Sequence, residues 1–264
     1  MPTVELSRVR LFYAEKGAGD PVVFLNGLSG DHGYWMGQLR AFARRYRCLA
    51  VDNRDVGQSS YATEAYTIRD MAGDVMELLA HLRVPPVHLV GLSMGGMIAQ
   101  ELALARPDLV RSLALVSTLA RADDWFRGTL EAFGLIRRQV PNTASFFEAI
   151  LPWWVSYRFF DAPERAAWLR WLLHQNPFDQ RLDGFLRQLQ AIARHDAFER
   201  LPSLACPVLL LVGEDDSVAP PRYTRQLHDR IPHGRVLILP EVGHAPPIEN
   251  PGQFNASLAE FLAG

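Results

Sequence analysis

The chain has 264 residues and a formal net charge of −2, with 48% hydrophobic and 21% charged residues. These values exclude a disordered or fibrous chain and allow a large buried core. No Lys/Arg cluster offers a footprint for nucleic acid, and no apolar run is long enough to span a bilayer. The expected partner is therefore a small molecule, with neither nucleic acid nor membrane. The opening MPTVELSRVRLFYAEKG has no basic stretch followed by an apolar core, so the expected location is cytoplasmic.

Residues 4–10 and 11–15 alternate apolar with polar side chains and are expected to pair as an antiparallel edge. Apolar runs then follow at 21–26 (PVVFLN), 47–52 (RCLAVD), 87–92 (VHLVGL) and 112–118 (SLALVST), separated by helical patterns such as 68–82 and 94–105. That alternation predicts an α/β fold with a mostly parallel, doubly wound sheet. Over 119–201 the strand rhythm stops and helical patterns take over, carrying Trp125, Trp153, Trp154, Trp168 and Trp171. More than half of these rings are expected to pack inward. Strand-like runs return at 207–213 and 235–240, before a final helix. The expected organisation is a core of 1–118 and 202–264 with a helical insertion at 119–201. Cys48 and Cys206, each at the entrance of an apolar run, read as buried thiols without metal-ligand spacing.

Between the strand at 87–92 and the helix after it lies GLSMG, a G-x-S-x-G pattern in the strand–turn–helix context that the pattern requires. A serine on so sharp a turn needs neighbours that are nearly absent, and Gly91 and Gly95 supply them. The turn lifts the Ser93 hydroxyl toward a cleft, beside N–H groups at a helix N-terminus. A serine needs a base. His81, His88, His174, His195 and His233 each have a structural explanation, whereas His244, in the Gly- and Pro-rich PEVGHAPPIENP, follows the last strand. Loops at the carboxyl ends of parallel strands are where such sheets place their chemistry. A carboxylate must then fix the imidazole, and Glu214, Asp215 and Asp216 all follow a buried strand.

The order Ser93, acid, His244 resembles that of α/β-hydrolase fold enzymes carrying a helical cap, and the likeness covers essentially the whole chain. The resemblance implies that the acid stands three residues after the glycine ending its strand, which selects Asp216; Asp123 and Asp124 are the alternative, after the preceding strand. It also implies an oxyanion hole made by the backbone N–H groups of Leu28 and Met94. Asn26 stands where many members have histidine, which should leave those donors intact but change the bonding that holds their loop. DNRDVGQSS (52–60) is similar to the family's D-x-R-G-x-G-x-S turn with Asp55 in place of glycine, as in aclacinomycin methylesterase-like members. Asp52 and Arg54 read there as structural. The segments FFEAILPWWVSYRFF and NPFDQRLDGFLRQLQAIARHDAFERL resemble caps of enol-lactonase-like and aminoacrylate hydrolase-like members.

The expected activity is hydrolysis of a carboxylic ester or lactone of a small, partly hydrophobic molecule through an acyl-enzyme on Ser93, without metal or cofactor. Trp153, Trp154, Phe159 and Phe160 are the candidate substrate contacts; Arg158 reads as a solvated helix-face arginine, with a carboxylate receptor as the alternative. Carbon–carbon bond hydrolysis, cofactor-free perhydrolysis and a ligand-sensing role on the same scaffold remain as alternatives.

Overall fold

A computed structural model describes residues 2–264. Its centre is an eight-stranded sheet of β1 (Thr3–Glu5), β2 (Arg10–Lys16), β3 (Asp20–Leu25), β4 (Tyr46–Val51), β5 (Val87–Leu92), β6 (Val110–Val116), β7 (Val208–Gly213) and β8 (Arg235–Leu239). The spatial order is β1-β2-β4-β3-β5-β6-β7-β8. The first two strands pair antiparallel with each other and β2 pairs antiparallel with β4, while every other pairing is parallel. Every residue of β5 and β7 is buried, as expected of central strands covered on both faces.

Helices α1 (Met36–Phe42), α2 (Ile68–His81) and α3 (Met94–Ala105) follow the strands of the first half. Thr67 and Asp70 form a reciprocal capping box that starts α2, while α3 is buried on nearly all sides and correspondingly apolar. Between β6 and β7 the chain forms α4 (Asp124–Gln139), α5 (Thr143–Trp154), α6 (Pro163–Gln175) and α7 (Leu182–Ala193). The chain closes with α8 (Pro221–Arg230), the short α9 (Pro246–Glu249) and α10 (Pro251–Ala263). No helix among the described residues is long and apolar enough to cross a membrane.

The tryptophans depart from expectation. Of the five between β6 and β7 only Trp154 is buried, whereas Trp125, Trp153, Trp168 and Trp171 are each about half exposed, at 48–58%. The reason is geometric for α6, which buries only Ala166 and Leu169 and turns the rest of its surface outward. Cys48 is buried, and burial pushes its thiol up to about 12; Cys206 is partly exposed and shifted in the same direction by burial.

Candidate active site

Ser93 lies where β5 ends and α3 begins, and its backbone is held at φ 53°, ψ −118°. A non-glycine residue pays for that conformation, and the surroundings fix it: Ser93 N–H donates to Val116 O at 2.9 Å and Thr118 Oγ1 donates to Ser93 O at 2.7 Å. The flanking glycines are required by contact. A Cβ on Gly91 would stand 2.4 Å from Gly95 O, and one on Gly95 would stand 2.1 Å from Leu25 O.

His244 and Asp216 come from the loops after β8 and β7. His244 Nδ1 lies 2.9 and 3.0 Å from the two Asp216 oxygens, and both side chains are buried. Asp216 Oδ1 also accepts the N–H groups of Val218 and Ala219 at 2.9 and 2.8 Å, which fixes the carboxylate before it meets the ring. Its neighbours do other things: Asp215 accepts from Ser156 Oγ, and Glu214 points to solvent. Asp123 caps α4 and accepts from Tyr223 Oη at 2.6 Å, while Asp124 is fully exposed, so neither stands at His244.

Ser93 and His244 open on one cavity of about 60 Å³. The side-chain hydrogen bonds of His244 run from Nδ1 to Asp216, and none joins its Nε2 to Ser93 Oγ among the described residues. The cavity walls are Leu28, Phe126, Leu130, Phe133, Phe146, Phe147, Ile150, Trp154, Ile192 and Val218, with Tyr34 at the side. Residues 26–30 run alongside the serine so closely that a Cβ on Gly27 would lie 3.2 Å from Ser93 Cβ. Leu28 N–H and Met94 N–H donate to no protein acceptor among the described residues, Met94 being the first residue of its helix. Asn26, buried, donates from Nδ2 to Asp31 O at 2.5 Å and leaves its own Oδ1 without a partner.

Of the candidate substrate contacts, Trp154 lines this cavity and three residues do not. Trp153 faces a separate groove beside Trp125, Phe159 is packed under the Arg165 guanidinium, and Phe160 lies against the core near Arg170. Trp153 and Trp154 are about 100° apart around α5, and only Trp154 falls on the side that carries Phe147 and Ile150 into the cavity. Arg158 pairs with Glu241 at 3.4 Å on the surface, away from Ser93.

A second cavity, about 520 Å³, adjoins the first and shares Gly30, Tyr34, Phe147 and Trp154 with it. On its wall is a second histidine–aspartate pair: His32 Nδ1 lies 2.9 and 3.1 Å from the Asp52 oxygens. Burial acts to lower the His32 pKa, but the Asp52 hydrogen bond and the charges of Asp52 and Asp31 outweigh it and raise it. Asp31, His32 and Asp52 bring one donor atom each within 4.8 Å of one another. Each carboxylate oxygen of this cluster already accepts a protein N–H, from Gly33, Asn176, His32 or Gln58, so the donor set is that of a hydrogen-bonded hub rather than an open metal site.

Two contributors escaped the reading of the sequence. One is His32. The other is Glu249, whose buried carboxylate accepts the N–H groups of Gly243, Ala245 and Ser156 and thereby brackets the His244 loop. Burial raises the Glu249 pKa against the pull of those N–H groups. His244 N–H itself donates to Trp154 O at 3.0 Å, which ties the histidine loop to the end of α5.

Comparison with known proteins agrees with the fold. A family model described as the alpha/beta hydrolase fold matches residues 20–251. A protein named as a non-heme bromoperoxidase, BpoC, of Mycobacterium tuberculosis is 32% identical, over 97% of this chain and 98% of its own. One named as a carbamate hydrolase, RutD, of Azorhizobium caulinodans is 30% identical, over 99% and 98%. The crystal structure of the enol-lactonase from Burkholderia xenovorans LB400 superposes with a TM-score of 0.90 at 26% identity, covering all of both chains. With its sheet order, its serine turn and a family match over most of its length, the chain belongs to the alpha/beta hydrolase fold family and is a hydrolase of that fold.

Proposed function

We propose that this hydrolase cleaves a carboxylic ester or lactone of a small, partly hydrophobic molecule, with Ser93 as nucleophile, His244 as base and Asp216 as its orienting acid. The observation that carries this reading is the shared cavity: a strained serine and a carboxylate-fixed histidine face it together. His244 takes the Ser93 proton as Oγ attacks the carbonyl carbon; Leu28 and Met94 N–H donate to the oxyanion, and collapse expels the alcohol, protonated by His244. Water, deprotonated by His244, then attacks the acyl-enzyme, and Ser93 leaves as the acid is released. The gap between Ser93 Oγ and the imidazole closes when substrate is bound, as is common for unliganded sites. The helices of 119–201 act as a cap over the core of 1–118 and 202–264, and Trp154 is the one aromatic retained as a substrate contact.

The enol-lactonase supports a lactone or ester bond, since it superposes over the full chain. The small inner cavity suits a short apolar part of the substrate, and the larger, more polar neighbouring cavity suits the rest. Turnover of p-nitrophenyl esters of increasing acyl length, alongside simple lactones, tests this. Acetate and butyrate esters are expected to outpace decanoate, and Ser93→Ala to lose about 10³-fold or more. Undiminished turnover by folded Ser93→Ala protein would sink the proposal.

A further inference from the structure

Ser29 follows Leu28, takes a left-handed backbone conformation at φ 61°, and is 4% exposed. Its hydrogen bonds from outside the loop all go to two glutamines of the helical segment. Ser29 N–H donates to Gln188 Oε1 at 3.1 Å, and Ser29 Oγ donates to Gln180 Oε1 at 2.5 Å. Both glutamines are buried, at 1% exposure or less. Gln180 Nε2 donates to Gln188 Oε1 at 3.1 Å and to Asp55 O at 3.0 Å, and Gln188 Nε2 donates to Arg54 O at 3.0 Å. The two amides thus form one bridge between 26–31 and the turn at 52–60. Gln180 is fixed from behind, since its N–H donates to Thr143 Oγ1 and Arg137 donates to its carbonyl at 2.7 Å.

We propose that Gln180 and Gln188 are positioning residues for the oxyanion: they hold the peptide plane after Leu28 so that Leu28 N–H faces the reacting carbonyl beside Ser93. This rests on the serine-hydrolase reading above. Leu28 N–H is set by the torsions on either side of Leu28, and Ser29 N–H fixes the next peptide unit. Without the amide bridge, the left-handed Ser29 relaxes and the donor turns. A misaimed donor affects the transition state more than the ground state, so the loss belongs to kcat rather than KM. Any outward movement of the helical segment carries both amides away, so the oxyanion donor is complete only when that segment is seated.

The test uses full-length Gln188→Met, Gln188→Glu and Ser29→Ala, read by kcat and KM on p-nitrophenyl butyrate and by the rate at which a fluorophosphonate labels Ser93. That label also develops a charged oxygen that needs the donor. Gln188→Met is expected to lower kcat and the labelling rate together by about 10- to 100-fold, with KM within about threefold. Gln188→Glu keeps an oxygen for Ser29 N–H but sets its other oxygen against Arg54 O, where Gln188 Nε2 donates, so it recovers only part of that loss. Ser29→Ala, which removes only the Gln180 contact, costs a few-fold in both rates and serves as the test if Gln188→Met does not fold. Both rates unchanged in these variants, or a rise confined to KM, would overturn the proposal. Wild-type protein neither labelled nor active would instead overturn the serine-hydrolase reading on which it stands.

Discussion

Among the described residues three buried histidines lie beside carboxylates, and the three pairs behave differently. His244 on Asp216 opens toward Ser93, His32 on Asp52 opens on the larger cavity, and His195 stands 3.6 Å from Glu101 with its Nε2 unpartnered. What sets the third pair apart is the rest of its carboxylate's company. Asp216 has two backbone N–H groups and His244; Asp52 has two backbone N–H groups and His32; Glu101 already serves Arg200 at 2.5 and 2.7 Å and Arg69 at 3.3 Å. A carboxylate neutralised by arginines has little charge left for an imidazole. Burial therefore dominates at His195 and lowers it to about 4, whereas His32 is raised. A histidine–carboxylate pair is thus not a catalytic signature alone; what distinguishes His244 is that it shares a cavity with the strained Ser93.

The largest expected effect breaks the resemblance between the first two pairs. His244→Ala should cost about 10⁴-fold or more in ester turnover. His32→Ala should cost less than about tenfold while lowering stability by about 1–3 kcal/mol, since it leaves the buried Asp52 short of a donor. Parallel kinetics and urea unfolding of the two variants check this, and equal losses of turnover would show that the pairs are not distinct in function.

A second prediction sharpens the contrast by pH. For His195 the folded protein favours the neutral ring, so the unfolded chain binds more protons between the ordinary histidine value of about 6.5 and about 4. Stability from this site is present above that window and falls by up to about 3 kcal/mol as pH drops through it. His32 has the opposite sign: its contribution is complete below the ordinary histidine value and is lost as pH rises through the raised folded value. Urea midpoints across pH should therefore flatten on the acidic side in His195→Gln and on the alkaline side in His32→Gln. The smallest effect is expected at the exposed His174–Glu148 pair, 3.1 Å apart with both side chains at least a third exposed. His174→Ala should move stability by no more than about 1 kcal/mol.

Much of the scaffold was legible because it is written in local periodicity. The strand at 87–92 and the helix at 94–105 coincide with β5 and α3, and the strands from 21–26 onward agree to within one or two residues. The expected first strand at 4–10, in contrast, is only Thr3–Glu5, the chain turning over 6–9 and Arg10 already pairing in β2. The serine turn was legible because its glycines stand two residues on either side of Ser93. His32 was not, because its partner lies 20 residues away and nothing local marks the pair. Glu249 sits in the same quoted loop as His244, but its role depends on Ser156, 93 residues distant in sequence. Gln180, in the loop before α7, and Gln188, on α7, gave no signal at all, since a glutamine reads as surface until the loop it meets is known. The exposed tryptophans misled for the converse reason: aromatic density says that apolar surface exists, not which face of a helix carries it.

The most direct measurement is a rapid-quench experiment with wild-type protein and p-nitrophenyl butyrate, followed by mass mapping of the trapped chain. The account predicts a burst of p-nitrophenol approaching one equivalent and a butyryl group on the peptide carrying Ser93, both lost in Ser93→Ala. Turnover with the acyl group on another side chain, or continuing undiminished in Ser93→Ala, would contradict it.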